Sequence, residues 1–506
     1  MSHNIYELFA TKFADDLTSP FLSVPGGLTY TYGQVDRRSA SIAAVLAEGG
    51  ARPGDRVVAQ VDKSADSVAL YLACLRGGFI YVPLNTAYTP EEVGFFLGDA
   101  DPAIFVFRPG RASKLKPVAD IAGVPKSYTL SSKSTGTLAE AASEITAMGA
   151  IMERGPDDVA CMVYTSGTTG RSKGAMLTHR GIATNARALH AIWRFRPGDV
   201  LLHSLPIFHI HGLFVALHCA MLNASEVLFL PKFDVEQVRS SLPHATVMMG
   251  VPTHYTRLLA DPDFSSADCQ TIRLFTCGSA PLSEPVFHEF ISRTGHTICE
   301  RYGMTETGII ASNPPEGQRI AGTVGYALPD MDMRIADEKD EPLDTGEIGE
   351  VQVRGPHLLA GYWGLEDKTA ESLTGDGFFR TGDIGSMAAD GRLTLAGRST
   401  DMIISGGYNV YPKEVELLLD QQPGVIESAV IGLAHPDFGE AVAAFVVADE
   451  SVTEDGLMAT IEDKLANYKR PKQYVFLNAL PRNAMGKVQK AQLRETYAEL
   501  FGAIEI

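Results

Sequence analysis

The sequence predicts an α/β protein with a large N-terminal domain of parallel-rich sheets, a β-rich subdomain, and a small mobile α+β domain at the C-terminus. Short apolar stretches at residues 55–61, 199–205 and 225–231 have the pattern of buried strands. They alternate with helix-like segments at residues 65–78 and 286–296. Such alternation is typical of mostly parallel sheets covered by helices. The 506 residues suffice for one large domain and a small one.

The pattern changes twice in the second half of the chain. From about Asp332, short β-like runs such as GEIGEVQVRG and GDGFFRTGD are separated by turn residues, which indicates a β-rich region. After Arg398, the helix-like segments KEVELLLDQQ and LMATIEDKLANYK alternate with the strand-like segments SAVIGLA and AVAAFVVAD. This order favours a separate α+β domain. We therefore predict a division into residues 1–399 and 400–506.

The composition argues against several classes of partner. The formal net charge is −18, from 43 basic and 61 acidic residues, so the surface repels nucleic acid and anionic membranes. The N-terminus has neither a basic region nor an apolar signal segment, and the apolar run at residues 212–222 is too short to span a bilayer. The six cysteines are scattered, which favours buried free thiols over a metal site. We predict a cytoplasmic protein that binds neither nucleic acid nor membrane.

The strongest local motif is MVYTSGTTGRSKGAM at residues 162–176. An apolar strand runs into a loop of Thr, Ser and Gly, whose backbone N–H groups can converge on an anion, and Lys173 adds positive charge. A Ser/Gly-rich surface linker is the alternative, but a linker needs neither the lysine nor the strand. The order of residues is not that of a Walker A loop, which disfavours a P-loop NTPase or kinase.

Further motifs follow in a fixed order, and together they resemble the signatures of the adenylate-forming superfamily. They are LPIFHIHG (205–212), GSAPL (278–282), ERYGMTE (300–306), TGD (381–383), GRSTDMIISGGYNVYP (397–412) and PRNAMGK (481–487). This superfamily includes acyl-CoA synthetases, aryl-CoA ligases, luciferases and peptide-synthetase adenylation domains. The resemblance implies two steps. A carboxylate attacks the α-phosphate of ATP to give an acyl-adenylate and pyrophosphate, and coenzyme A then forms the thioester and releases AMP.

The resemblance also implies which residues bind the nucleotide. Thr165, Ser166, Gly167, Thr168, Thr169, Gly170 and Lys173 would hold the β- and γ-phosphates. Glu306, with Thr165, would hold Mg²⁺, which prefers oxygen ligands, and Thr305 would contact the α-phosphate. The adenine slot would be lined by Gly278, Ser279, Ala280, Glu300, Arg301, Tyr302, Gly303 and Met304, with Tyr302 stacked on the base. Asp383 and Arg398 would bind the ribose. Taken alone, Glu306 could be a solvated loop acid and Asp383 a turn cap.

The catalytic lysine implied by the resemblance is Lys487, on a loop marked by Pro481 and Gly486. It would bridge the substrate carboxylate and the α-phosphate, although a lone lysine is more often simply solvated. Because such lysines are acetylated in some relatives, a lysine acetyltransferase is a possible partner at Lys487. His209 would gate the acyl pocket as a catalytic and substrate residue, or would be an ordinary core histidine.

The second half-reaction would use residues that line the pantetheine tunnel after the small domain rotates. They are Ser405, Gly406, Gly407 and Tyr408. The two glycines permit close backbone approach, or form an ordinary bulge. At the hinge position relatives usually carry Asp or Lys, whereas this chain has Thr400, which puts hinge behaviour in doubt.

Arg301 narrows the identity of the acid. Many relatives have glycine at this position, which leaves room for a fatty or aromatic group, whereas a guanidinium suits a carboxylate. Arg257 in GVPTHYTRLLA is a second candidate, or a solvated residue on a helix face. With Ser279 and His209 they form the predicted substrate set. Two arginines at a short pocket suggest a small dicarboxylic acid, so we predict malonate or methylmalonate as the substrate of an ATP- and CoA-dependent ligase.

Other functions remain open from the sequence alone. The nearest is a ligase of the same family for an aromatic or medium-chain acid, with Arg301 turned toward the nucleotide. A non-catalytic nucleotide-binding protein is a different class, but it would be expected to have lost Lys487 or Glu306, and both are present. A kinase or ATPase would release ADP rather than AMP.

Overall fold

The computed structural model describes residues 3–145, 150–165, 172–405, 408–435, 438–462, 464–483 and 486–502. The strands in these residues are β1 (Pro20–Ser23), β2 (Thr29–Thr31), β3 (Arg56–Gln60), β4 (Ile80–Pro83), β5 (Ile104–Phe107), β6 (Lys126–Thr129), β7 (Val159–Thr165), β8 (Lys173–Thr178), β9 (Val200–His203), β10 (Glu226–Phe229), β11 (Val247–Gly250), β12 (Leu274–Cys277), β13 (Cys299–Met304), β14 (Gly308–Ser312), β15 (Thr323–Ala327), β16 (Asp332–Ala336), β17 (Gly349–Arg354), β18 (Gly361–Tyr362), β19 (Phe379–Met387), β20 (Leu393–Arg398), β21 (Ile403–Ser405), β22 (Tyr408–Val410), β23 (Val425–His435), β24 (Gly439–Ala448) and β25 (Gln473–Phe476).

The α-helices are α1 (Ile5–Phe13), α2 (Tyr32–Glu48), α3 (Ala65–Gly77), α4 (Pro90–Ala100), α5 (Ala112–Ile121), α6 (Thr137–Glu144), α7 (His179–Ile192), α8 (Leu217–Leu222), α9 (Val235–Ser241), α10 (Pro252–Leu259), α11 (Glu284–Thr294), α12 (Glu366–Glu371), α13 (Pro412–Asp420), α14 (Glu454–Glu462) and α15 (Lys490–Thr496). Short 3₁₀ turns lie at Pro109–Arg111, Leu242–His244, Ser399–Asp401 and Asn467–Lys469, and a π-helical turn at His211–Ala216 precedes α8.

The largest sheet has 13 strands in the order β16-β17-β19-β20-β15-β14-β13-β12-β11-β9-β10-β1-β2. From β1 through β10, β9, β11 and β12 to β13 the pairing is parallel, and from β13 to β16 it is antiparallel. The antiparallel half contains β16, β17, β19 and β20 of the predicted β-rich region, together with β14 and β15, which precede Asp332. Because β9, β11, β12 and β13 are neighbouring parallel strands, residues at their carboxyl ends meet at one edge of the sheet.

The second sheet has 7 strands in the order β18-β8-β7-β4-β3-β5-β6. Its β3, β4, β5, β6 and β7 pair in parallel, while β7 and β8 form an antiparallel pair in which Thr165 lies opposite Lys173. One continuous apolar core joins residues of both sheets to α3, which is buried over its whole length. A hydroxyl cap begins α3, since Ser64 Oγ accepts from Ser67 N–H and Ser67 Oγ accepts from Ser64 N–H.

The C-terminal part of the chain forms a third, five-stranded sheet. Its strands β22, β21, β24 and β23 are antiparallel neighbours, and β25 adds to β24 in parallel. Apolar residues of α13 and α14 pack on this sheet in a separate core. Strand β20 of the large sheet ends at Arg398, and the turn Ser399–Asp401 leads into β21.

These elements confirm the predicted fold class. The apolar stretches at 55–61, 199–205 and 225–231 form β3, β9 and β10, and the segments at 65–78 and 286–296 contain α3 and α11. The six cysteines are buried free thiols, as predicted. Among the described residues, no helix has the length and apolar character needed to cross a bilayer.

Candidate active site

The end of the β7–β8 pair meets the turn between β13 and β14. Thr165 Oγ1 donates to Glu306 Oε1 over 3.0 Å, and the Tyr362 hydroxyl donates to the same oxygen over 3.2 Å. Lys173 Nζ lies 4.5 Å from the centre of the Tyr362 ring. The predicted phosphate lysine, the predicted metal glutamate and Thr165 therefore lie around one point, although the phosphate-binding roles stay predictions. Ser166 to Gly170 lie outside the described residues.

A tight hairpin holds Thr305 and Glu306 in place. Met304 pairs with Gly308 across the turn, and Gly308 has a φ of +62°, a conformation that favours glycine. A Cβ there would lie 2.9 Å from Asn185, whose side chain bonds both backbone groups of Ile309. At Gly303 a Cβ would lie 2.2 Å from the Gly308 carbonyl oxygen. The small residues of YGMTETG are therefore required by packing within the hairpin.

Tyr302, Asp383 and Arg398 form a buried cluster on the antiparallel side. The Tyr302 hydroxyl donates to Asp383 Oδ2, and Arg398 Nε lies 2.7 Å from Asp383 Oδ1. Asp383 and Arg398 are opposite each other in the β19–β20 pairing, which fixes this ion pair. Burial raises the pKa of Asp383, while Arg398 opposes that change. The cluster brings together the three residues predicted for base and ribose, whose roles stay predictions.

The C-terminal domain places Lys487 beside this cluster. Burial lowers the pKa of Lys487 and so does Arg398, whereas Asp383 and Asp401 raise it, so these groups act on the ammonium electrostatically. The preceding residue, Gly486, packs against α10, because a Cβ there would lie 2.7 Å from Thr253 Oγ1. The loop that carries Lys487 thus lies against the start of α10, just after the carboxyl end of β11.

Arg301 is a buried cation. Its side chain is 4% exposed, and among the described residues Nε and Nη2 have no hydrogen-bond partner. Burial lowers its pKa to about 10, while the nearby Cys277, Tyr255 and Cys299 raise it. The guanidinium lies over Gly278, where a Cβ would be 2.5 Å from Cζ of Arg301. The glycine of GSAPL therefore makes room for the guanidinium, which forms no ion pair with a carboxylate of the described residues.

His211, which the sequence analysis left unassigned, lies beside Arg301. Its Nδ1 is 3.2 Å from Ser279 Oγ, and its Nε2 is buried without a partner. Burial lowers the pKa of His211 well below its usual value, and the Arg301 charge adds to that effect. Ser279 has a φ of +70°, which is uncommon for a residue with a Cβ. A histidine in an apolar segment gave no sequence signal, since only the chain fold brings it to Arg301.

The other predicted substrate residues lie in different environments. Arg257 is exposed, with Cζ 5.1 Å from the Phe233 ring centre, and His254 stacks on that ring at 4.0 Å. The structure therefore does not enclose Arg257 with Arg301, and its substrate role stays a prediction. His209 packs beside Phe208, and burial lowers its pKa to about 4, so it is neutral at physiological pH. Its gating role is likewise a prediction.

Glu300 points away from Arg301, because successive side chains of a strand face opposite sides. Its Oε1 is buried and has no hydrogen-bond partner among the residues that the structure describes. Burial raises its pKa to about 8, while Lys413 of the C-terminal domain opposes that change. Glu300 is therefore largely protonated at neutral pH. Its predicted place in the adenine slot, with Ala280, stays a prediction.

The residues predicted for the pantetheine tunnel are only partly described. Gly406 and Gly407 lie outside the described residues. On either side of them, Ser405 is 2% exposed, whereas Tyr408 is 61% exposed and stacks on Tyr468 with ring centres 4.8 Å apart. Thr400 is exposed in the turn between β20 and β21. The tunnel role of Ser405 and Tyr408 and the hinge role of the position at Thr400 therefore stay predictions.

The oxygen donors at Glu306 and Thr165 suit Mg²⁺. This ion binds a few protein oxygens and completes its octahedral shell with phosphate oxygens and water. Among the described residues no group of three His, Cys, Asp or Glu side chains could hold a metal ion by itself. A carboxylate and a hydroxyl beside a phosphate loop therefore fit a metal that arrives with the nucleotide.

Comparison with known proteins agrees with this geometry. The family model described as AMP-binding enzyme matches residues 10–363, and the model described as AMP-binding enzyme C-terminal domain matches residues 414–487. The chain therefore belongs to the AMP-binding enzyme family. A malonate–CoA ligase of Arabidopsis thaliana is 35% identical over 98% of this chain and 89% of its own length.

Solved structures also match this chain over nearly its whole length. The crystal structure of ATP-bound MatB from Rhodopseudomonas palustris is 44% identical, with a TM-score of 0.96 over 99% of this chain and all of that chain. The apo form of the same protein, at the same identity and coverage, has a TM-score of 0.85. The present chain therefore resembles the ATP-bound form more closely than the apo form.

Proposed function

We propose that the protein is a malonate–CoA ligase that forms malonyl-adenylate and pyrophosphate from malonate and ATP, and then malonyl-CoA and AMP. The observation that carries the proposal is Arg301, a buried guanidinium whose Nε and Nη2 have no hydrogen-bond partner in the part of the chain that the structure describes. A charge without a partner costs several kcal/mol in a protein interior. A ligand that brings a carboxylate removes that cost, and malonate has one carboxylate to activate and one to pair.

In the first step one carboxylate of malonate attacks the α-phosphorus of ATP, and pyrophosphate leaves. We assign Lys487 to the space between that carboxylate and the α-phosphate, where an ammonium stabilises the charge that builds up. Support comes from its electrostatic contact with Asp383 and Arg398, the residues proposed for the ribose. Thr305 would donate to the α-phosphate. Glu306 and Thr165 would hold Mg²⁺, which supplies positive charge to the phosphates when bound.

In the second step the sulfur of coenzyme A attacks the acyl carbonyl, and AMP leaves. We propose that residues 400–506 then move as a unit, which takes Lys487 away and brings Ser405 and Tyr408 to the thiol. Support comes from the separate core of this region and from the exposed Tyr408 ring. The proposed hinge is the turn Ser399–Asp401, between the large sheet and the C-terminal sheet.

The buried Arg301 guanidinium also explains why acids with a single carboxylate would be poor substrates. Acetate, benzoate or a medium-chain acid would leave the Arg301 guanidinium without an anion. A site built for a charged group rejects analogues that lack the charge, often by about 10⁴-fold. The malonate–CoA ligase relative and the MatB structure support this choice of acid over an aromatic one. Methylmalonate differs by one methyl group and keeps both carboxylates.

A panel of acids tests the proposal. We expect CoA-dependent AMP formation with malonate at the highest kcat/KM, with methylmalonate next and with succinate, acetate and benzoate far below. Coupled detection of AMP and of ADP in the same samples identifies the bond that is cleaved. Faster turnover of acetate or benzoate than of malonate would overturn the choice of substrate, and ADP as the product would overturn the reaction class.

Two further proposals concern the location of the protein and the modification of Lys487. We propose a cytoplasmic location, supported by the sequence features described above. We also propose that an acetyltransferase can modify Lys487, because part of this residue is accessible on its loop even though its surroundings lower the pKa of the ammonium group. Acetylation would remove the charge needed in the first step. Mass spectrometry of the native protein would detect the acetyl group, and a pyrophosphate-release assay would detect the loss of the first step.

A further inference from the structure

A buried lysine–histidine pair lies behind the proposed acyl pocket, outside every motif of the sequence. Lys63 follows β3, and its Nζ reaches the carboxyl ends of β9 and β10. It lies 2.7 Å from His203 Nδ1, 2.9 Å from the His203 carbonyl oxygen and 2.6 Å from the Leu230 carbonyl oxygen. The ammonium is also 4.4 Å from the Phe229 ring centre. Lys63 therefore joins the second sheet to the large one at the edge that carries Arg301.

Hydrogen bonding fixes the protonation of this pair. His203 Nε2 is 2.9 Å from the Gly212 carbonyl oxygen, which can only accept, so Nε2 carries a hydrogen. In a neutral ring Nδ1 is then an acceptor, and Lys63 must donate to it. Lys63 also donates to two carbonyl oxygens, which uses three N–H bonds and requires an ammonium. Burial lowers the pKa of Lys63, but these three acceptors hold one positive charge on the pair.

His203 in turn holds the backbone that carries His211. The Gly212 carbonyl that it binds lies at the start of the π-helical turn, where Leu217 N–H donates back to the same carbonyl. The backbone is tightly packed there, because a Cβ on Gly212 would lie 2.2 Å from the Pro206 carbonyl oxygen. π-Turns of this kind are frequent at functional sites. The adjacent His211 has Nδ1 3.2 Å from Ser279 Oγ, and the Arg301 charge is close enough to lower the pKa of the His211 ring.

We propose that Lys63 is a positioning residue for the second carboxylate of the substrate. Its ammonium fixes the tautomer of His203, His203 fixes the Gly212 carbonyl, and the turn then holds His211 beside Arg301 to complete the anion site. The inference rests on the proposed function, since it concerns the site for the distal carboxylate of a small diacid. Lys63 touches neither the reacting atoms nor, by this reasoning, the substrate.

The first test is Lys63→Met, which keeps the length of the side chain and removes its donors. His203 can then adopt the other tautomer, so that Nε2 no longer donates to Gly212. We expect the KM for malonate to rise about tenfold, the effect of losing a hydrogen bond to a charged group, while the KM for ATP changes little. Lys116→Met, a change at an exposed lysine, is the matched control and should leave both values unchanged.

The second test is rescue by His203→Gln in the Lys63→Met protein. A glutamine side chain carries its N–H at a position close to Nε2 and needs no lysine to donate to the Gly212 carbonyl. We expect the double variant to recover most of the malonate KM lost in the single variant. A lysine with a merely structural role would give additive losses, and the KM values for ATP and malonate would rise together.

The outcomes separate this inference from the proposed function. If the wild-type protein does not use malonate, the proposed function fails. If it does, and Lys63→Met folds with an unchanged Tm and an unchanged malonate KM, the role of Lys63 fails. The role also fails if His203→Gln does not rescue, or if ATP and malonate are affected equally.

Discussion

Replacement of Arg301 by methionine isolates the charge that the proposed substrate would pair. Methionine keeps much of the length of the arginine side chain and removes its donors. The Nε and Nη2 groups of Arg301 are both buried and have no hydrogen-bond partner within the described ranges, so a carboxylate could accept two hydrogen bonds from them. Breaking such a buried pair costs about 3–5 kcal/mol. The kcat/KM for malonate should fall by a factor of roughly 10² to 10⁴, at about 1.4 kcal/mol per decade.

The assay compares malonate with 3-methylbutanoate, in which an uncharged isopropyl group replaces one carboxylate at nearly the same shape. Pyrophosphate release should show a strong preference for malonate in the wild-type protein. The preference should disappear or reverse in Arg301→Met, because the pocket no longer contains an unpaired cation. Arg194→Met, at an arginine whose side chain is 64% exposed, is the control and should behave as wild type.

Stability provides an independent check. A buried guanidinium without a partner destabilises the free protein, so Arg301→Met should unfold at the same or a higher denaturant concentration than wild type. The reasoning is refuted if Arg301→Met keeps its preference for malonate. It is equally refuted if the KM for ATP rises as much as that for malonate, since Arg301 would then serve the nucleotide.

The remaining predictions concern Lys487 and Glu300. Lys487→Ala should abolish malonate-dependent pyrophosphate release but retain most thioester formation from supplied malonyl-adenylate and CoA; equal loss in the two assays contradicts its role. Burial raises the pKa of Glu300 from 4.5 to about 8, so between these pH values the folded protein binds a proton that the unfolded chain has lost. This contribution is fully present below pH 4.5 and is lost toward pH 8, at up to about 1.4 kcal/mol per pH unit. The free energy of unfolding, measured with urea at pH 5.5, 7 and 8.5, should therefore decrease less with pH in Glu300→Gln than in the wild-type protein. If it decreases equally in the two proteins, Glu300 is ionised in the folded state and the reasoning is wrong.

Local pattern was enough to predict most of the fold. The apolar runs that form β3, β9 and β10 are short and bounded by turn residues, and α3 has a Ser cap and a largely apolar sequence. Pairing order was not readable, because it depends on contacts between distant residues. For example, β15 pairs with β20, and nothing in either strand specifies the other.

The sequence identified the ERYGMTE motif, but the prediction did not take into account which side of the strand each of its side chains faces. Residues 300, 301 and 302 lie on one strand, so Arg301 faces the opposite side from Glu300 and Tyr302. The alternation of a strand is available from the sequence, yet the motif-based prediction puts all three residues in the adenine slot and gives Arg301 a substrate role as well. Lys63 and His203 were beyond sequence reasoning for another reason. They are 140 residues apart, and neither has a motif, so only the packing of the two sheets brings them together.

A protein with a net charge of −18 can still bind the proposed dianionic substrate, because the surface charges and the buried cations act on the substrate at different distances. Surface charges are screened over about 8 Å at physiological ionic strength, so they weaken the approach of malonate but contribute little inside the pocket. Arg301 and the Lys63–His203 pair act across a few ångströms in an environment where water cannot screen them. The proposed selectivity for a second carboxylate therefore depends on the buried Arg301 cation and on the hydrogen bonds by which Lys63 and His203 position the turn beside it, and the acidic surface can vary without changing it.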